Sequence, residues 1–473
     1  MNELAVVILA AGLGTRMKSG TAKVLHKAAG RELIAWPVAL ARELGAGKIV
    51  AVLGHQAERV QSALDARFGA GAVDVAIQDK QLGTGHAVMQ ALPALGDWPG
   101  PLLILYGDTP LLERVWLDKL LAAYRESGTL ALVTVRLPDP TGYGRIVRDA
   151  RGQLTGIVEQ KDCTPAQRAI NEGNAGIYCV AAPFLREAVR SLTTANAQGE
   201  LYLTDVAALA ARQAPVATVE APPEQVLGVN DRADLATVEA ILRGRILRQH
   251  ARAGVTIRDL AGTYIDADIA IGADSEIGPG VCLRGKTRIG ERVRIDAGCV
   301  LEDTTVGDDA LLRAYSVATE TVIGPRAQIG PFAHMRPGSQ LDSDVHLGNF
   351  VETKKTRLGP GAKANHLAYL GDADIGAKVN VGAGTITCNY DGVNKFKTTI
   401  EDGAFIGSDS QLVAPVRVGR GAYVGAGTTV HKDVPEGALA LTRVEQKNIE
   451  GWVEKKKQRQ AAAKAAGPGS DKK

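Results

Sequence analysis

The N-terminal half of the chain alternates two hydrophobic rhythms. Short, continuously apolar runs at Val6–Leu9, Ile49–Leu53, Val73–Ile77, Leu102–Tyr106 and Leu130–Arg136 are separated by amphipathic, helix-like stretches. Unbroken apolar runs of this kind predict strands of a parallel sheet covered on both faces. Their alternation with helices predicts a doubly wound, Rossmann-like α/β domain over residues 1–229.

The pattern then changes. In "NDRADLATVEAILRGRILRQHARAG", Asn230 or Asp231 can cap a helix, because a short polar side chain accepts the free first-turn N–H groups. Leu235, Val238, Leu242 and Ile246 mark one apolar face, and Gly254 can end it. A long connecting helix is therefore expected within residues 230–253. Beyond it the apolar period is six: Ile271, Ile277, Leu283, Ile289, Ile295 and Leu301, then Ile323, Ile329, Met335, Leu341 and Leu347, then Ile406, Leu412, Val418, Val424 and Val430. Neither a helix nor a simple strand repeats every six residues. A hexapeptide repeat predicts a parallel β-helix over 254–445, with the periodic aliphatic residue pointing inward and small residues at the corners. The segment "TCNYDGVNKFKTT" (387–399) interrupts the repeat and is expected to protrude as a loop. The Lys/Ala-rich tail, 446–473, is expected to be frayed or partly disordered.

Composition narrows the partners. Of 473 residues, 45% are hydrophobic and 23% charged, the balance of a soluble globular protein too long for one core. A net charge of +3 gives no reason to expect a nucleic-acid or membrane-surface partner. No 18-residue apolar stretch predicts membrane insertion, and no basic segment precedes the apolar run at the N-terminus as it would in a secretory signal. The five scattered cysteines form no CxxC pair, which argues against structural zinc and for a reducing, cytoplasmic setting.

The turn "VVILAAGLGTRM" (6–17) carries the first chemistry. Gly12 and Gly14 fit a dinucleotide fingerprint, but Met17 takes the third glycine position, and the second strand ends in Gly54 and His55 instead of an acidic residue. No GxxxxGK[ST] phosphate loop occurs either. What remains is a glycine turn that lets backbone N–H groups approach phosphates, followed by two cations, Arg16 and Lys23.

The whole stretch "LAAGLGTRMKSGTAKVL" resembles the signature of sugar-nucleotide pyrophosphorylases; where that family has Pro before the lysine, this chain has Ala22. The resemblance implies that Leu9, Ala10, Ala11, Gly12 and Lys23 cradle UTP, and that Arg16 and Lys23 stabilise the departing pyrophosphate. In "QDKQLGTGHA" it assigns Gln78, Gly83 and Thr84 to the uracil. Tyr106, Gly107 and Asp108 in "LILYGDTPLL" end an apolar strand where open α/β sheets build sites. Asp108, with Asn230 of "GVND", would bind Mg²⁺, which takes few protein ligands alongside phosphate oxygens. Gly144, Glu159 and Asn174 would contact the N-acetylated sugar, and Ala175 stands where the family more often has Thr.

The six-residue repeats resemble the left-handed β-helix of hexapeptide acyltransferases, from which the handedness is taken. "HMRPGS", the segment from Val351 to Gly392, and "FIGSDSQLVAP" resemble the acetyltransferase half of the bacterial bifunctional N-acetylglucosamine-1-phosphate uridyltransferase and glucosamine-1-phosphate acetyltransferase family. Proton removal from an attacking amine suits a histidine. Among eight His, His366 lies between Lys354, Lys355, Asn365 and Tyr369 and matches the family's base; His334 and His346 lack that setting. Arg336, Lys354, Tyr369 and Asn380 would hold glucosamine 1-phosphate, and Ala383, Asn389, Tyr390, Ser408, Ala426 and Arg443 would line acetyl-CoA. The resemblance implies a homotrimer with sites between subunits. The implied activity is acetylation of glucosamine 1-phosphate, then uridyl transfer to N-acetylglucosamine 1-phosphate. A single-activity pyrophosphorylase whose β-helix only trimerises or regulates is the alternative. The segment from His366 to Asp391 favours two sites, since a spacer has no need of it.

Overall fold

A computed structural model describes residues 4–465. The chain divides into two compact units, 1–289 with 300–303, and 290–299 with 304–473.

The first unit runs β1 (Ala5–Ala10), a β2–β3 ribbon (Lys27–Ala28, Arg31–Glu32), α1 (Ala35–Glu43), β4 (Lys48–Leu53), α2 (Ala57–Phe68), β5 (Asp74–Ile77), α3 (Thr84–Leu95), β6 (Pro101–Tyr106), α4 (Arg114–Ser127) and β7 (Leu130–Arg136). There follow β8 (Arg145–Arg148), β9 (Leu154–Val158), α5 (Pro165–Arg168), β10 (Glu172–Ala181), α6 (Ala182–Arg190), α7 (Asp205–Ala211), β11 (Ala217–Ala221) and α8 (Arg232–Arg252). The main sheet has the order β11-β7-β10-β6-β1-β4-β5. The continuous apolar runs are explained by two cores. Along β1, Ala5, Val7 and Leu9 face one buried cluster and Val6 and Ile8 the other, because successive strand residues point to opposite faces.

The sheet is not wholly parallel, as the apolar runs had suggested. β10 lies antiparallel to both β6 and β7. A parallel return needs a crossover, usually a full helix. Between β7 and β10 the chain makes an antiparallel β8–β9 pair and only the four-residue α5. β1, by contrast, is parallel to β4 on one side and β6 on the other, so the sheet's order switches beside its carboxyl end. α8 is capped by Asp231, whose carboxylate accepts from the N–H groups of Ala233 and Asp234. That leaves the neighbouring Asn230 side chain for other contacts. Val238, Leu242 and Ile246 are buried on the predicted face.

In the second unit the coils stack in register: Ile295, Leu312, Ile329, Leu347, Ala364, Val381, Ile406 and Val424 lie directly above one another. The steps are 17 or 18 residues except from Val381 to Ile406, where the interrupting loop is accommodated. All of these inward residues are buried. The tail differs from expectation. Trp452–Ala465 form a helix, α9, with no buried residue; its Ala, Lys, Gln and Glu are strong helix formers. Residues 466–473, the rest of that expected frayed tail, lie outside the described residues.

Candidate active sites

The glycine turn is shaped by a lysine. Gly14 stands at φ 62°, and a Cβ there would lie 2.6 Å from the Cβ of Lys23. Glycine thus supplies both the left-handed backbone and the room for Lys23 to pack beneath the turn. A Cβ on Gly12 would meet nothing within 4 Å, so that edge of the turn is open. The Lys23 ammonium pairs with the Asp108 carboxylate, both mostly buried. Arg16 donates from Nη2 to Asn230 Oδ1 at 3.0 Å. The Val229 N–H donates to the Asp108 carbonyl at 2.9 Å, which sets residue 230 beside the end of β6. The two cations of the turn therefore each hold one of the two predicted metal ligands.

A residue that sequence reading passed over anchors this loop. Gln56 accepts from the Ala22 N–H at 3.1 Å and donates from Nε2 to the Gly20 carbonyl at 2.6 Å. Proline at position 22 has no N–H to give. The departure from the family pattern is thus matched by a hydrogen bond only a non-proline residue makes.

A cavity of about 260 Å³ opens beside the turn. Leu9, Ala10, Ala11, Gly12, Lys23, Gln78, Gly83, Thr84, Tyr106 and Asp108 line it, together with Val24, Gln81, Ala87 and Glu200. Gly107 joins β6 to β1: its N–H donates to the Leu9 carbonyl at 2.9 Å, and a Cβ would press on Ala10. Gly144, Glu159 and Asn174 form a second group. Asn174 donates its N–H to the Gly144 carbonyl at 2.8 Å, and its side-chain nitrogen to the Tyr178 hydroxyl at 2.6 Å. Glu159 accepts from the Thr204 hydroxyl at 3.1 Å. Burial pushes the Glu159 carboxyl above its ordinary pKa, opposed by the Thr204 bond and assisted by nearby Asp162 and Asp205. Tyr106 links the two groups. Its ring packs against Gly176, and burial, then the charges of Glu159 and Asp108, raise its hydroxyl pKa.

The second unit gathers the other predicted residues on the coils around the loop. His366 is exposed and pairs in register with Asn349, whose Oδ1 lies 3.3 Å from His366 Nδ1. An oxygen there selects the Nδ1–H tautomer and leaves Nε2 free to accept a proton. Glu352 pairs in register with Tyr369 and accepts from Arg336 at 2.9 Å. Lys354 is partly buried and lies beside Lys395 of the loop, which, with Arg336 nearby, holds its ammonium below the ordinary lysine pKa. Lys395 was not foreseen; the only signal was a cation inside the interrupting segment. Asn389 donates to Asp372 Oδ2 at 2.5 Å, and Tyr390 bridges Lys395 backbone to backbone. Asn380 sits one coil above Lys363. Ala383, Ser408 and Ala426 occupy equivalent corners of successive coils, two residues beyond the aligned Val381, Ile406 and Val424. Arg443 lies exposed beyond the last coil strand, Leu439–Ala440, and no hydrogen bond or ion pair ties it to this group among the described residues. His334 and His346 lie on earlier coils, His334 in register with Glu352 and His346 with Lys363.

A glycine turn beside a cavity on an α/β sheet, followed by stacked hexapeptide coils, is the architecture of a nucleotidyltransferase joined to a hexapeptide transferase. Residues 6–177 match the family described as MobA-like NTP transferase domain, and residues 397–432 match bacterial transferase hexapeptide (six repeats). The chain is 53% identical over 466 residues to the bifunctional protein GlmU of Anaeromyxobacter sp. (strain Fw109-5), covering 98% of this chain and 96% of that one. It is 51% identical to that of Trichlorobacter lovleyi and 48% identical to that of Geobacter sulfurreducens, again over nearly the full length of both. The chain belongs to the bifunctional GlmU family of transferases.

Proposed function

We propose that the second unit transfers the acetyl group of acetyl-CoA to the amine of glucosamine 1-phosphate, and that the first unit then joins the N-acetylated product to UTP with release of pyrophosphate, giving UDP-N-acetylglucosamine. The domain limits at 229/230, 253/254 and 445/446 belong to this reading. The observation that carries it is the cross-pairing of Lys23 with Asp108 and Arg16 with Asn230, beside a cavity lined by the glycine turn.

The carboxylate of Asp108 and the amide oxygen of Asn230 are hard oxygen donors on adjoining backbone, which fits Mg²⁺. Bound there, the ion would neutralise phosphate charge. No cluster of three or more His, Cys, Asp or Glu suited to a metal occurs among the described residues, and a site of this kind needs none. Arg16 and Lys23 then hold the pyrophosphate as the sugar phosphate oxygen attacks the α-phosphorus. Gly144, Glu159 and Asn174 orient the acceptor. Catalysis rests on alignment and charge stabilisation, with no covalent nucleophile.

In the acetyl step His366 Nε2 takes the amine proton as nitrogen bonds to the thioester carbonyl and the CoA thiolate leaves. Arg336, Lys354 and Lys395 supply positive charge for the sugar phosphate. Ala383, Ser408 and Ala426 offer a line of small corners along which acetyl-CoA lies, with Asn389 and Tyr390 at its end.

A homotrimer is supported by an apolar strip on the coils. Tyr315, Phe332 and Phe350 stack at 5.4 and 5.6 Å between centroids while each remains about half exposed. A second copy would cover that strip, and Arg443 would reach a neighbouring subunit's site. Five free cysteines support a cytoplasmic enzyme, and no described helix is long and apolar enough to cross a membrane.

His366→Ala is expected to abolish CoA-thiol release from acetyl-CoA and glucosamine 1-phosphate while leaving pyrophosphate release from UTP intact. Asp108→Ala is expected to do the reverse. Loss of both activities in either variant sinks the two-site assignment.

A further inference from the structure

A side-chain amide has a donor end and an acceptor end, and which one faces a ligand decides what it recognises. For Gln78 the neighbours settle the question. Gln78 is 4% exposed and lines the nucleotide cavity. The Gly83 carbonyl can only accept, so the Gln78 atom 3.1 Å from it is the amide nitrogen, Nε2. The same nitrogen lies 3.0 Å from His86 Nδ1. Its second hydrogen points there, so Nδ1 carries a lone pair and the ring proton sits on Nε2. The side-chain nitrogen of Gln90 is placed 3.1 Å from His86 Nε2; because this tautomer makes Nε2 a donor, the Gln90 amide must be turned over so that its oxygen accepts there. A chain Gln90–His86–Gln78–Gly83 thus engages both hydrogens of the Gln78 amide. Only its oxygen is left for a ligand.

That oxygen distinguishes pyrimidines. Uracil offers an N3–H donor between two carbonyls; cytosine offers a bare N3 lone pair in the same place. An acceptor opposite N3 pairs with uracil and repels cytosine, and a buried polar group left unpaired is the strongest form of discrimination a site has. We propose that His86, which is not among the residues lining the cavity, is a positioning residue that sets the preference for a uracil nucleotide by holding the amide oxygen of Gln78 toward the base. The proposal rests on the uridyl-transfer reading above.

The test compares UTP and CTP. Both are titrated calorimetrically into the full-length protein, and sugar-nucleotide formation is followed in parallel. His86→Leu removes the acceptor at similar bulk; His86→Asn returns an amide oxygen near the place of Nδ1. The Leu variant is expected to bind UTP about tenfold more weakly and to lose about tenfold of its UTP-over-CTP preference, the size of one mis-set buried hydrogen bond. Its KM for N-acetylglucosamine 1-phosphate stays unchanged, and the Asn variant recovers the preference. An unaltered UTP-over-CTP ratio in folded His86→Leu overturns the proposal. So does a fall in kcat with every substrate and no change in that ratio. Should the Leu variant not fold, ¹⁵N spectra of the native His86 ring decide: a bare Nδ1 supports the assignment and a protonated Nδ1 overturns it. A wild-type protein that prefers UTP but forms no sugar nucleotide overturns the uridyl-transfer reading alone.

Discussion

The ammonium of Lys23 pairs with the carboxylate of Asp108 in the lining of the cavity beside the glycine turn, and the two side chains are only 15% and 18% exposed. The cation proposed to meet phosphate and the carboxylate proposed to meet a metal thus share one position. Lys23→Met is expected to lower uridyl transfer by about 10²–10³-fold, the usual cost of one preorganised charge partner at a phosphoryl-like transition state. Acetyl transfer should be unchanged. Paired assays of pyrophosphate and CoA-thiol release check both halves at once, and an equal fall in the two would mean the lysine serves the fold instead.

Glu159 should show a conflict between stability and function. Burial raises its carboxyl pKa, so the unfolded chain gives up that proton more readily than the folded one. The stabilisation from the folded-state proton is present below the unfolded pKa and is lost as pH rises through the folded value. At neutral pH the buried charge is therefore a net cost. Glu159→Gln is expected to raise the melting temperature of the first unit at pH 8, with the gain shrinking toward pH 4. It is expected at the same time to raise the KM for the sugar phosphate. A melting temperature that falls at pH 8 would contradict the sign.

How much of this was legible before the fold was known depends on whether the signal was local. The parallel strands, the capped helix and the six-residue coil each repeat a short-range rule many times, and chance cannot imitate that. The antiparallel course of β10 was hidden because apolar content reports burial on both faces and not direction. Lys23 and Asp108 were each recognisable in their own motifs, but their pairing, 85 residues apart in sequence, was not. Gln56 and Lys395 were missed for the same reason, since each acts through a neighbour the sequence does not place beside it; Glu200 reaches the cavity only through the fold. Gly14 was read as a residue that admits phosphate. The structure shows that it also makes room for a lysine.

Lys395 offers a direct check on the loop. It crowds Lys354 enough to depress that lysine's pKa, and Arg336 adds to the effect. Like charges gathered on an exposed surface are costly until an anion arrives. Lys395→Ala is expected to let the Lys354 pKa rise and to increase the KM for glucosamine 1-phosphate about tenfold. The KM for acetyl-CoA should hold. A shift in the acetyl-CoA value alone would move Lys395 to the other substrate.

In the proposed acetyl step, the contact between His366 and Asn349 decides which ring nitrogen takes the proton. The 3.3 Å approach of the Asn349 oxygen keeps the proton on Nδ1 and Nε2 basic. Asn349→Leu removes that selection without touching His366, so part of the population would present a protonated Nε2 that cannot accept from the amine. The expected result is a fall in acetyl-transfer kcat of about 10-fold or more, with little change in either KM. Asn349→Asp keeps an oxygen in place and adds a charge that stabilises the imidazolium. Its activity should stay near that of the native enzyme, and the acidic limb of its pH–rate profile should move upward, because the charged ring is favoured. If Asn349→Leu is as active as the native enzyme, the tautomer is set elsewhere and the orienting role given to Asn349 is wrong.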